Sequence, residues 1–201
     1  MTPATFRAET QELLRDRLLD AALALMERRT WSKVTMAAIA DEVGVSRQTV
    51  YNEIGAKRTI AEHLAMRELS RFLDLVRERM DERDDLVDAI QWACEGVLEL
   101  GATNMLVRAI VGSVPGDHPP DLLAILTVDS GEIVEVACSV VKQCVLDKGQ
   151  PLPLSDAELD VVVEAVVRLV LSAVTRPSKP PREASADIAW ILRLALKGAS
   201  A

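Results

Sequence analysis

Between Thr35 and Gly55 the chain has room for only two very short helices, and that stretch constrains its fold more than any other. Thr35 is a plausible N-cap for a helix over Met36–Val43, which Gly44 stops. Ser46 caps a second helix, Arg47 to about Glu53, which Gly55 ends. A helix of eight residues or fewer is marginal alone, so the two must pack on each other and on a third element. Leu14, Leu18, Ala21, Ala22, Leu25 and Met26 recur at helical spacing and supply it, as a first helix from about Arg7 to Arg29. Ala38 or Ala40 with Ile39, then Gly44, Val45, Val50 and Ile54, provide the small, turning and locking residues of a helix-turn-helix. Arg47, Gln48, Thr49 and Asn52 are left pointing elsewhere. These types hydrogen-bond base edges or phosphates, arginine to guanine and Gln or Asn to adenine. The capped starts at Thr35 and Ser46 present amide hydrogens where a phosphate could sit.

The remaining periodicity is also helical. Segments are expected at Lys57–Met80, Asp85–Leu100, Thr103–Ser113, Asp121–Val128, Glu132–Asp147, Asp156–Thr175 and Ser185–Leu196. Gly101 and Gly131 divide neighbours, PGDHPP and KGQPLPL are loops, and RPSKPPRE is a connector. Ser155 with Glu158 has the form of a capping box. No alternating strand pattern and no internal repeat is present, so the predicted fold is all-α.

The net charge of −8 is unevenly spread. Residues 1–60 carry nine Lys and Arg against eight Asp and Glu, whereas the remainder carries 14 against 23. Within residues 28–58 six basic side chains face three acidic ones. A locally basic segment on an acidic body suits a protein that meets phosphates with one face. Cys94, Cys138 and Cys144 form no CxxC pair and read as small hydrophobes of a reduced compartment, with a redox sensor as the alternative. No zinc spacing, cofactor loop or catalytic constellation appears, so no enzyme, metal or cofactor is expected. No apolar signal core or bilayer-length apolar run is found, and a soluble, cytoplasmic protein without membrane insertion is expected.

Thr35-x-x-x-Ile39-Ala40-x-x-x-Gly44-Val45-Ser46-x-x-Thr49-Val50-Tyr51, with Lys57 near the next helix start, resembles the signature of the TetR/AcrR family of transcriptional regulators. The resemblance covers about residues 10–60. It implies a three-helix DNA-binding domain, residues 1–56, and a helical ligand-binding and dimerisation domain, residues 57–201. It further implies that Thr35, Tyr51 and Lys57 contact phosphates, and that Arg47, Gln48, Thr49 and Asn52 sit at or near base edges. Three positions depart from the pattern: Ile54 replaces a common aromatic, Glu53 puts a negative charge near phosphate, and Arg58 is placed to offset it.

Asp156–Thr175 is apolar on several faces, including Val161, Val162, Val163, Val166, Val167, Leu169, Val170 and Val174. A helix of that kind is buried all round, and a partner subunit is the simple cover. Paired with Glu132–Asp147, it resembles the family's dimer interface. Only Phe72, Trp92 and Trp190 supply aromatics beyond residue 60. Any pocket there should therefore have aliphatic walls, which favour an elongated alkyl or fatty acyl ligand. Phe72, Trp92 and Glu95 are the candidate lining residues, with Arg108 or Gln91 meeting a polar head. The expected function is a homodimeric repressor released from palindromic double-stranded operator DNA by a small hydrophobic effector. The alternative is a helical lipid-binding protein of the same fold with weakened DNA affinity.

Overall fold

A computed structural model describes residues 3–111 and 131–199. The described elements are all helical: α1 Pro3–Arg28, a 3-10 turn Trp31–Lys33, α2 Met36–Val43, α3 Arg47–Ile54, α4 Lys57–Asp81, α5 Leu86–Thr103, α6 Met105–Val111, α7 Gly131–Asp147, α8 Asp156–Thr175 and α9 Pro181–Ala199. The expected PGDHPP loop and the helix Asp121–Val128 lie outside the described residues.

The caps act as the sequence predicts. Thr35 accepts the Ala38 amide at 3.1 Å and Ser46 accepts the Thr49 amide at 3.0 Å. Gly44 then turns out of α2 at φ +78°, a left-handed conformation that side-chain-bearing residues adopt at a cost. The Val45 amide closes that turn on the Ala40 carbonyl at 3.0 Å.

Two clusters of buried apolar side chains organise the molecule. The first joins Leu18, Ala22 and Leu25 of α1 to Ile39 of α2, Val50 and Ile54 of α3, and Ile60 and Leu64 of α4. Leu106 of α6 and Ile133 of α7 belong to it as well. The second gathers Val76 and Met80 of α4 with Ile90, Ala93 and Val97 of α5, Val145 of α7, Leu159 and Val163 of α8, and Ile188 and Leu192 of α9. At 25 residues, α4 runs from one cluster into the other.

Several boundaries differ from expectation. Gly101 lies inside α5 and does not end it. A Cβ there would stand 3.1 Å from Val174 Cγ1, so the glycine is a point of close approach to α8. The break comes at Asn104, whose Oδ1 accepts the Val107 amide at 3.1 Å and opens α6. The last helix starts at Pro181, within the expected connector, because proline fits a first turn whose amides have no intrahelical acceptor. α8 is not enclosed by the described residues: Leu159 and Val163 are buried, whereas Val161 is 69% exposed. Leu169 of the same helix is exposed as well, and Trp190, Ile191 and Leu194 on α9 add to this apolar surface. On the predicted partner helix α7, only Leu146 is comparably exposed.

Candidate functional site

α3 buries Val50 and Ile54 and turns its other faces outward. Arg47, Gln48, Tyr51 and Asn52 are exposed, and Thr49 is half-buried beside the cap. The exposed residues pair along the helix at i,i+4 spacing. Gln48 Nε2 donates to Asn52 Oδ1 at 2.9 Å, and Arg47 Nη2 donates to Tyr51 Oη at 3.3 Å with its guanidinium over the phenol ring. Ser46 and Thr49 hydroxyls lie 2.8 Å apart. α3 thus shows a pre-ordered polar row with spare donors and acceptors, of the side-chain types that can pair with base edges.

Thr35 stands exposed at the start of α2. Lys57, expected as a phosphate contact, is turned inward: its ammonium donates to the Trp31 carbonyl at 2.6 Å and lies over the Trp31 ring. It therefore ties the first residue of α4 to the turn before α2. Glu53 is half-buried with Oε2 enclosed, so its carboxylate leans into the unit and not onto the outer face of α3. Arg58 ion-pairs with Glu62 within α4 at 2.9 Å, where an offset to Glu53 was expected.

In the body, α4, α5, α6, α7 and α8 enclose a cavity of about 160 Å3. Phe72 lines it, along with Leu69, Val97, Val134 and Val170. The other expected lining residues do not. On α5 the inward phase is Ile90, Ala93, Cys94 and Val97, which leaves Gln91, Trp92 and Glu95 rotated away. Trp92 packs between the guanidinium groups of Arg79 and Arg83 and donates to Glu82 at 2.6 Å. Arg108 is exposed on α6.

The polar residues of the cavity wall are ones the pattern did not suggest. Glu68 is 6% exposed, and its carboxylate accepts from Arg71 at 2.8 Å and from Asn104 at 2.7 Å. The available signal was a charge in the inward phase of α4, four residues after Leu64 and four before Phe72. Cys94 also lines the cavity, and burial pushes its thiol up to about 12. Burial likewise raises Cys138 and Cys144, so all three free thiols are held away from the reactive thiolate form.

Residues 18–64 match the model of bacterial regulatory proteins of the tetR family, and residues 85–193, more than half of the chain, match the bacterial tetracyclin repressor C-terminal domain. The chain belongs to the TetR family of DNA-binding transcriptional regulators. It is 30% identical over 183 residues to the HTH-type transcriptional regulator AlkX of Mycobacterium tuberculosis, covering 91% of this chain and 85% of that one. The crystal structure of the TetR family repressor AlkX from Dietzia sp., implicated in biodegradation of n-alkanes, superposes with a TM-score of 0.72 at 23% identity, over 91% of this chain and 97% of that one. FadR of Thermus thermophilus in complex with lauroyl-CoA superposes with a TM-score of 0.61 at 18% identity, over 92% and 94% of the two chains. Among the described residues no helix is long and apolar enough to cross a membrane.

Proposed function

We propose that this regulator is a cytoplasmic, dimeric repressor that grips palindromic operator DNA with α3 and lets go when an aliphatic effector fills the cavity. Residues 1–56 would form the DNA-binding domain and residues 57–201 the sensing and dimerisation domain. Arg47, Gln48, Thr49 and Asn52 would meet base edges, with Thr35, Ser46 and Tyr51 on phosphates. Lys57, with three ammonium donors and one bond to the Trp31 carbonyl, would add a phosphate contact beside Thr35. In its observed place it fixes the angle between α4 and the DNA-reading unit.

One observation carries the link between cavity and DNA: α4 and α6 belong to both. Leu69 and Phe72 of α4 face the cavity, while Ile60 and Leu64 of the same helix pack on α1. Leu106 of α6 lines the cavity and also belongs to the cluster built on α1. A ligand between these helices cannot move one end without loading the other. A ligand that prefers one α4–α6 arrangement shifts the population toward it, with coupling of about 1–3 kcal/mol. The described wall is mostly aliphatic, with Phe72 its one aromatic, which favours an alkyl chain. The n-alkane setting of one relative and the lauroyl-CoA of another support the same class of ligand.

For the dimer, the exposed apolar residues favour α8 with α9 over the α7–α8 pair. Val161, Leu169, Trp190, Ile191 and Leu194 would be covered by their counterparts across a two-fold axis. Selection of duplexes from a random library by the full chain, with sedimentation equilibrium of the complex, tests the reading. A dimer should enrich a palindrome whose half-sites are centred about one turn, roughly 34 Å, apart or a multiple of it. No enriched duplex, or an asymmetric site held by a monomer, contradicts it.

A further inference from the structure

The cavity has one chemically distinct end. Among the described residues that line it, Glu68 is the single charged side chain, and Asn104 is the other strong hydrogen-bonding one, in a wall that is otherwise apolar. Glu68 is inside the wall, since its side chain is 8% exposed, whereas its partner Arg71 is 60% exposed and lies outside the lining. The carboxylate oxygens each accept one hydrogen bond, Oε1 from Arg71 and Oε2 from Asn104, and an ionised carboxylate has roughly four acceptor sites. Asn104 has already committed one amide hydrogen to Glu68 and its Oδ1 to the Val107 amide. The capacity left at this end is therefore mainly acceptor, on a carboxylate whose one ion-pair partner, Arg71, lies outside the lining.

From this we infer that the effector is an aliphatic molecule whose head donates a hydrogen bond to Glu68, as a primary alcohol does, and that Glu68 rejects a free carboxylate head. The inference rests on the cavity being the effector site. An ionised head placed beside Glu68 would set two like charges together among apolar walls, with Arg71 already committed to the first. A hydroxyl instead satisfies its donor on Glu68 while its chain lies along Phe72, Val97, Val134 and Val170. Length follows from volume: an engineered apolar cavity of about 150 Å3 takes up benzene, so a chain of roughly six to eight carbons matches the space here.

The head also touches the route to DNA. A hydroxyl on Glu68 Oε2 competes with Asn104, and Asn104 is the residue that opens α6. Headgroup recognition thereby acts on the helix whose Leu106 packs against α1.

Calorimetric titration of the full chain at pH 8 with 1-octanol and with octanoate reads the assignment directly. Wild type should bind 1-octanol at least about ten-fold tighter than octanoate, the penalty of a second buried carboxylate. Glu68→Gln should bring the two within about three-fold, mainly by improving octanoate, because Gln keeps the shape without the charge. Octanoate binding as tightly as octanol to wild type overturns the assignment, and that comparison stands even if the variant fails to fold. A folded Glu68→Gln protein with an unchanged ratio overturns it as well. If neither probe binds wild type, the cavity reading falls with it, whereas binding without the ratio removes the headgroup assignment alone.

Discussion

In the DNA-reading unit, α2 and α3 are eight residues each and are set by polar devices: two hydroxyl caps, two glycine turns and the Lys57 hold on Trp31. The body is built the other way, from helices of 17 to 25 residues around α6, with apolar side chains on more than one face and an unfilled space among them. The first construction fixes geometry, because each cap and turn admits one backbone path. The second leaves geometry adjustable, because aliphatic walls slide over one another with little directional penalty and a cavity withholds the contacts that would pin them. A rigid reader joined to a deformable body is the division that the proposed ligand response requires.

The comparison can be broken from the reader's side first. Arg47→Ala with Gln48→Ala should weaken binding to the selected operator about 100-fold, since each base contact is worth roughly 1–3 kcal/mol. Melting temperature and 1-octanol affinity should stay unchanged, as both side chains are exposed. Unchanged operator affinity by fluorescence anisotropy would remove α3 from the interface.

Rigidity of the turn is the next point of attack. Gly44→Val forces a side chain into φ +78°, where space is open but the backbone is unfavourable. The cost should be about 1–2 kcal/mol, a melting shift of roughly 2–8 °C by calorimetry. A neutral result would show that the turn is not held in the left-handed region.

The smallest effect belongs to the body. Ser155→Ala removes the cap of α8 and should cost about 1 kcal/mol without altering operator affinity. Hydrogen bonds from the Ser155 hydroxyl and amide hold the Glu158 carboxyl below its usual range. Its contribution is present above the unfolded value, roughly pH 4.3, and is lost as pH falls through the lower folded value. Acid unfolding of Ser155→Ala should therefore be less steep below about pH 4.3 than that of wild type. Identical acid limbs would show that the capping box does not persist in solution.

What could be read beforehand follows the same division. Thr35, Gly44, Ser46 and Ser155 act locally, so their roles are legible in a few neighbouring letters, and the structure places them as read. Gly101 reads from the sequence as a helix end, because a glycine that ends a helix and one that admits a neighbour look alike; Val174, 73 positions away, makes the difference. Gln91, Trp92 and Glu95 were assigned to the cavity from residue type, but helix phase decides which face looks inward, and that phase belongs to Ile90, Ala93 and Val97. Glu68 was visible as a charge in an apolar stripe, yet its meaning depends on Asn104 arriving from α6.

The coupling of cavity to operator is tested most directly by titrating a labelled operator complex with whichever of 1-octanol or octanoate saturates the wild-type cavity. Operator Kd should rise between about 5- and 150-fold as the cavity fills, and the rise should follow the calorimetric binding curve. A saturated cavity with operator Kd unmoved would contradict the account.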